Sequence, residues 1–377
     1  MPPARLLWLA LLLCSLLVAP AQATAPPAAA AGAPADRTEQ AEPAAIVDHE
    51  TVVVSGALPG PGLWRVRKGE HTMYVLATLS PLPRRMQWES AGVASVIARS
   101  QQVLLPPSFT LDADVGVLGG LMLVPSLLKA RRNPGGRSLQ EVVPATLYAR
   151  WSPLRQRYLG RDRGVERWRP IFAAQELYEA AMRRSGLSPD DVVDKQVRRL
   201  AKRHAVPLRA VNFKFRLEDP KAAIRQFQST TLGDTECFAR TLSRIETDLE
   251  AMRQRANAWA TGDVQTLRAL AVESQYGACI DAVTGSGLAQ QLGVDDLRPR
   301  LARMWLDAAE QAIASHQTSL AVLPLALVTA ADGYLAQLAA RGYVIEAPEP
   351  SAATQEPAAA QETAAQETAA HGSGGRR

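Results

Sequence analysis

Few side chains in this sequence are spaced for chemistry. Ser80 stands where an apolar run, residues 72–79, meets Ser80-Pro81-Leu82-Pro83. A polar residue at a strand end that opens onto a loop is where α/β proteins place reactive groups. A serine nucleophile needs a base within hydrogen-bond reach, and no spacing supplies one; a turn serine before proline is the simpler reading. The histidines, His49, His71, His204, His316 and His371, are scattered, with no two at ligand spacing, and each reads as a surface or helix-end residue. The chain has no Gly-x-Ser-x-Gly elbow, no His-Glu-x-x-His helix, no phosphate-cradling loop and no dinucleotide fingerprint. Neither Cys237 nor Cys279 has a histidine near it in sequence, which argues against a catalytic thiol.

The cysteines bear instead on compartment. Residues 1–23 carry Arg5, an apolar run over 6–19 and the small-residue site Ala21-Gln22-Ala23, the pattern of a secretory signal peptide. An uncleaved anchor is the alternative, although the run is short for a membrane span. The exported chain, periplasmic or extracellular, then keeps only Cys237 and Cys279, and an oxidising compartment favours pairing them. The bridge closes a loop of about 43 residues, for which chain entropy gives ~4 kcal/mol. Two buried free thiols are the other reading.

The elements that must position any site begin with a hairpin. Leu63-Trp64-Arg65-Val66-Arg67, a turn at Lys68-Gly69-Glu70 and a second strand over 72–79 have the β-branched and aromatic content of a pleated surface. Ala/Pro-rich residues 24–45 read as a disordered linker, and residues 348–377, with Gln-Glu-Thr-Ala-Ala twice, as a solvated low-complexity tail. Residues 46–347 suffice for one large domain with its own core. Helical periods cover 168–184 and 190–204, the latter with Pro189 at its start and Val193, Val197 and Leu200 on one face. Residues 208–217 alternate like a strand. Phe238, Leu242, Ile245, Leu249, Met252, Ala256 and Trp259 form one apolar stripe, predicting a continuous helix over 235–260. Asp234 is its expected N-cap and Gly262 its stop, and Asp263 caps a helix over 264–273. Leu297, Leu301, Met304, Trp305 and Ala308 mark another helix, followed by strand 320–325, helix 332–340 and strand 343–346. The pattern predicts an α/β (α+β) fold. Its central mixed β-sheet is made by N- and C-terminal segments, with a large helical insertion.

The same segments carry a family resemblance. Leu63-Trp64-Arg65-Val66, Ala77-Thr78-Leu79-Ser80, Glu236-Cys237, Ala258-Trp259-Ala260-Thr261-Gly262-Asp263, Leu323-Pro324-Leu325-Ala326, Asp332-Gly333-Tyr334 and Arg341-Gly342-Tyr343 follow in the order of the TraB/GumN family, which includes the Tiki-like proteases. The resemblance implies a metal-dependent peptidase whose ligands include a histidine in each of two Gly-x-x-His segments and a glutamate after the second strand. Here the histidine positions are Ser80 and Ala326, the preceding glycines are Ala77 and Leu323, and Leu104-Leu105-Pro106-Pro107 stands where the glutamate belongs. Alanine, leucine and proline side chains bind no metal, and serine replaces imidazole poorly. No catalytic residue, metal or cofactor is therefore expected. The reading is a scaffold or binding protein with a lost metal site, for an unknown protein or envelope ligand; the alternative is a peptidase-like hydrolase with an altered site.

The net charge of +5 is concentrated locally: eleven Lys/Arg against three acids lie between Lys129 and Arg169, with Trp151, Tyr158 and Trp168 among them. For an exported chain this disfavours nucleic acid and leaves peripheral contact with an anionic membrane surface as the functional reading. A solvated face of arginines stacked on tryptophans is the simpler one. Residues 115–128, VGVLGGLMLVPSLL, are too short and interrupted to span a bilayer; they read as core, with a membrane-touching hairpin as the alternative.

Overall fold

Trp64 and Val66 alternate with Arg65 and Arg67, so one side of this strand is apolar and buried while the other faces water. Gly69, at φ +60°, turns the chain into the second strand, and the hairpin pairs Leu63 with Leu76 through Lys68 with His71. The computed structural model describes residues 60–348 apart from 85, 114, 189–191, 231, 271–278 and 280–283. The expected signal peptide, linker and tail beyond Pro348, Pro189 at the start of its helix, and the end of the helix expected over 264–273 lie outside the described residues.

The principal elements, numbered in chain order, are β1 Leu63–Lys68, β2 His71–Thr78, α1 Ala91–Arg99, β3 Val103–Asp112, α2 Gly116–Ala130, α3 Ala145–Leu159, α4 Pro170–Arg184, α5 Val192–Arg203 and β4 Leu208–Arg216. They continue with α6 Pro220–Ser229, α7 Thr235–Thr247, α8 Leu249–Thr261, α9 Val264–Ala269, α10 Leu297–Ser315, β5 Thr318–Pro324, α11 Leu325–Thr329, α12 Tyr334–Ala340 and β6 Val344–Glu346. Six strands form one mixed sheet in the order β4-β3-β5-β2-β1-β6. β2 runs parallel to β5, β5 to β3 and β3 to β4, whereas β1 is antiparallel to both β2 and β6. This is the expected α/β fold with a mixed central sheet. Within the helical insertion the strand expected over 208–217 is present as β4, which lies at the sheet edge beside β3.

Pro106 and Pro107 sit inside β3, where the register against β4 shifts between Leu104 and Pro107. Proline cannot donate to a ladder, and an irregularity there relieves the demand. β3 pairs with β5 only at Val103 and Leu104, then runs on beside β4 as a two-stranded ribbon with Phe109 stacked on Phe213 and Phe215.

A core cluster surrounds the sheet, including Val75, Leu76, Val322, Trp259 and Trp305, and a second lies among the helices around Trp151, Leu177, Phe238, Leu242 and Met252. The apolar stripe expected over 235–260 is buried from Phe238 to Trp259, but the helix is interrupted at Asp248, which joins α7 to α8. The Asp248 carboxylate receives Arg255, itself almost fully buried, at 2.9 Å, and Arg244 at 3.4 Å. Two guanidiniums converging on one carboxylate stabilise a local turn that periodicity alone does not register. Cys237 and Cys279 are bridged with a 2.04 Å S–S bond, tying the start of α7 to a position 42 residues on.

Asp234 stands at the N-cap of α7 as expected, its carbonyl accepting the Phe238 N–H at 2.9 Å, but its side chain makes no capping bond there. It is buried, and Oδ2 accepts the Ile171 backbone N–H at 2.9 Å, serving the first turn of α4 instead. Burial raises its pKa, opposed by that hydrogen bond and by the Arg169 charge. Arg169 is 3% exposed and donates to the carbonyls of Phe227, Gln228 and Thr230 at 2.8 to 2.9 Å, closing the C-terminus of α6. Burial lowers the Arg169 pKa, with Asp234 opposing. The basic segment is thus not wholly a solvated face. Arg169→Met leaves three carbonyls without their donor and Asp234 without its cation. It is expected to lower unfolding free energy by about 3 kcal/mol, measured by urea denaturation; an unchanged midpoint refutes the clamp.

Candidate functional site

Because β2, β5, β3 and β4 run parallel, their carboxyl ends open on one edge of the sheet, the edge on which such folds collect ligands. β2 and β5 finish in register, Ala77 opposite Leu323 and Thr78 opposite Pro324, and Thr78 Oγ1 donates to the Leu323 carbonyl at 3.3 Å. Ala77 and Leu323 are buried. Ser80 is exposed two residues beyond β2, and Ala326 is exposed in the first turn of α11. All four positions expected from the sequence therefore lie at one edge. Leu104, opposite Ala321 on the neighbouring strand, is buried beside them, as is Leu105.

The histidines are elsewhere. His71 begins β2 at the other edge of the sheet, its Nδ1 against the Ile313 carbonyl, and His316 Nε2 meets the Gln102 side-chain oxygen at 3.1 Å. His204 follows α5 and is exposed. His49 and His371 lie outside the described residues. Among the described residues no group of three or more His, Cys, Asp or Glu side chains is placed to hold a metal ion.

The strand-end edge is capped by aromatic side chains whose role the sequence reading missed. Trp259 of α8, fully buried, donates its indole N–H to the Ala77 carbonyl at 2.8 Å, and Trp88 packs edge-on against it at 5.6 Å between ring centroids. The end of α8 is held in place by Gly60 N–H donating to the Ala260 carbonyl at 2.8 Å. Gly262, at φ +73°, stops the helix as expected, and a Cβ there would lie 3.2 Å from the Gly60 carbonyl oxygen. Asp263 then caps α9, accepting the Thr266 hydroxyl at 2.6 Å and its N–H at 2.9 Å; these bonds hold its carboxyl below the usual range. The Trp259 stripe position was legible as core, but its hydrogen bond to β2 joins residues 182 apart in the chain.

Beyond Ala326 an open pocket of about 240 Å³ lies between the end of α11 and α12, lined by Trp64, Val328, Leu335, Ala336 and Ile345, with Arg268 of α9 at its wall. Arg268 is exposed and makes no ion pair among the described residues. No spacing signal pointed to Arg268, because α9, α11, α12 and β1 meet there only in the folded chain.

The model of the TraB/PrgY/gumN family matches residues 62–347, from the residue before β1 to the residue after β6, and the chain belongs to that family. No curated protein and no solved structure matches it. Since Trp259 satisfies a carbonyl at the edge where the family resemblance converges, Trp259→Phe keeps most of the packing and removes one buried donor. The expected cost is about 1–3 kcal/mol of unfolding free energy; Trp259→Ala should cost about 3–5 kcal/mol. Equal stability of wild type and Trp259→Phe in chemical denaturation would show that the Ala77 carbonyl does not depend on the indole.

Proposed function

We propose that this member of the TraB/PrgY/gumN family is an exported binding protein or scaffold whose strand-end edge no longer performs hydrolysis. The observation that carries this reading is the set of side chains at that edge: Ala77, Thr78, Leu323, Pro324 and Ala326, with Ser80 the exposed hydroxyl beyond β2. Methyl and methylene groups neither ligate a metal nor move a proton, and the Thr78 hydroxyl is turned to the Leu323 carbonyl. The Ala77 carbonyl is already engaged by Trp259, which supports a packing role for the place where the family resemblance implies ligands.

Binding in place of hydrolysis needs a cleft, and the pocket beside α11 and α12 has suitable chemistry. Half-buried Ala336 and Ile345 and exposed Ala339 offer apolar contact and Arg268 a guanidinium, a combination suited to a partner that presents an apolar group next to a negative charge. Export is supported by the signal-peptide pattern of residues 1–23 and by the Cys237–Cys279 bridge, which suits an oxidising compartment.

Two measurements on the purified protein test this reading. Metal analysis after dialysis is expected to find no stoichiometric transition metal. A mixed peptide pool is expected to remain uncleaved, with and without chelator. Peptide turnover abolished by chelator and restored by a divalent metal refutes the loss of the hydrolytic centre, and metal-independent turnover lost in Ser80→Ala refutes it by another route. Expression with the natural N-terminus should yield a chain outside the cytoplasm that lacks residues 1–23 by intact mass; full-length chain retained in the cytoplasm rules out export.

A further inference from the structure

Core packing, the reading favoured for residues 115–128, holds for only one side of the helix that forms there. α2 turns Leu123 and Ala130 inward, and its partner is α6, whose Gln228 side chain donates to the Ser126 carbonyl. Among the described residues nothing covers the other side. Leu118, Leu121 and Met122 are 74%, 62% and 70% exposed, and Pro125 and Lys129 are exposed as well. At 100° per residue these five positions fall within an arc of about 100°. Leu111, near the end of β3 just before α2, is also 51% exposed. Large apolar side chains grouped in this way mark an interaction face rather than ordinary surface.

Asp112 is exposed before the helix, but the charges grouped at its C-terminal end are cationic and identify the partner. The exposed stripe ends in Lys129, and the chain continues into exposed Arg132 and Arg137. Asn133 N–H donates to the Arg167 carbonyl at 2.9 Å, which brings exposed Arg167, and with it the segment of exposed Arg163, to the same end. Arg131 is laid over the Trp168 ring at 3.5 Å. The acids of this segment are engaged locally: Glu166 pairs with Arg155 at 2.9 Å, Glu141 accepts from Ser138, and the Asp162 carboxylate accepts the Gly164 N–H. An apolar helical face that runs into a cationic cluster matches the interface of a bilayer with anionic headgroups, where side chains such as Leu and Met enter the acyl boundary and Lys and Arg meet the phosphates. We infer that α2 and the basic segment following it form a peripheral membrane-docking surface for an anionic bilayer. The helix lies in the interface and does not cross it; among the described residues no helix is long and apolar enough to span a membrane.

A reporter on the helix separates this surface from any membrane attachment by the N-terminal segment. The full chain carrying Cys14→Ser and Met122→Cys, labelled at residue 122 with an environment-sensitive fluorophore, is mixed with phosphatidylglycerol/phosphatidylcholine vesicles. A blue shift is expected that weakens as salt is raised and is much smaller with pure phosphatidylcholine. The same label at Val344→Cys, exposed on the edge strand β6, should not shift. Adding Leu118→Ser and Leu121→Ser, which removes no buried contact, should weaken the apparent vesicle affinity at least ~10-fold. The inference fails if residue 122 shows no vesicle-dependent shift, or if 122 and 344 respond alike. It fails too if phosphatidylcholine alone is as effective, or if the shift follows protein concentration without vesicles, which would assign the face to a second copy of the chain.

Discussion

The parallel pairing of β2 with β5 is the constraint on which the rest of the fold depends. Seven register pairs, from Thr72 with Thr318 to Thr78 with Pro324, join segments about 245 residues apart in the chain. Closing so long a loop has an entropic cost that grows only slowly with length. Burial of Val75, Leu76, Ala77, Ala321, Val322 and Leu323 on a sheet covered from both sides offsets it. Once this pair forms, β1 and β6 extend the sheet on one side and β3 with β4 on the other, and the carboxyl ends of four parallel strands open together.

The helical segments have a core of their own, and their polar interior holds it in a particular arrangement. Arg169 closes α6 while Asp234 serves α4, and Arg244 and Arg255 meet at Asp248 between α7 and α8. These contacts exchange water for directed hydrogen bonds, so their effect is on which helix meets which more than on the net strength of folding. The Cys237–Cys279 bridge adds a covalent restraint at the start of α7. Together they leave α8 positioned so that Trp259 reaches β2.

Apolar surface is used in two ways in this chain. At the strand ends it is packed inward, with Trp259 bonded to the Ala77 carbonyl and Trp88 against Trp259. On α2 it is left facing outward beside a cationic cluster. Both lie within the residues matched by the family model.

Local pattern alone determined the hairpin, the strand over 208–217, the burial of the stripe from Phe238 to Trp259, the stop at Gly262 and the cap at Asp263, because each depends on neighbours within a few residues. The family motifs likewise announced that Ala77, Ser80, Leu323 and Ala326 belong at one place. Tertiary structure decided the interruption at Asp248, the use of the Asp234 carboxylate by α4, the burial of Arg169, the pocket at Arg268 and the exposed side of α2. Periodicity reports that a face is apolar; whether another element covers it, and which distant carbonyl or carboxylate a long polar side chain reaches, is set only when segments far apart in the chain compete for the same space.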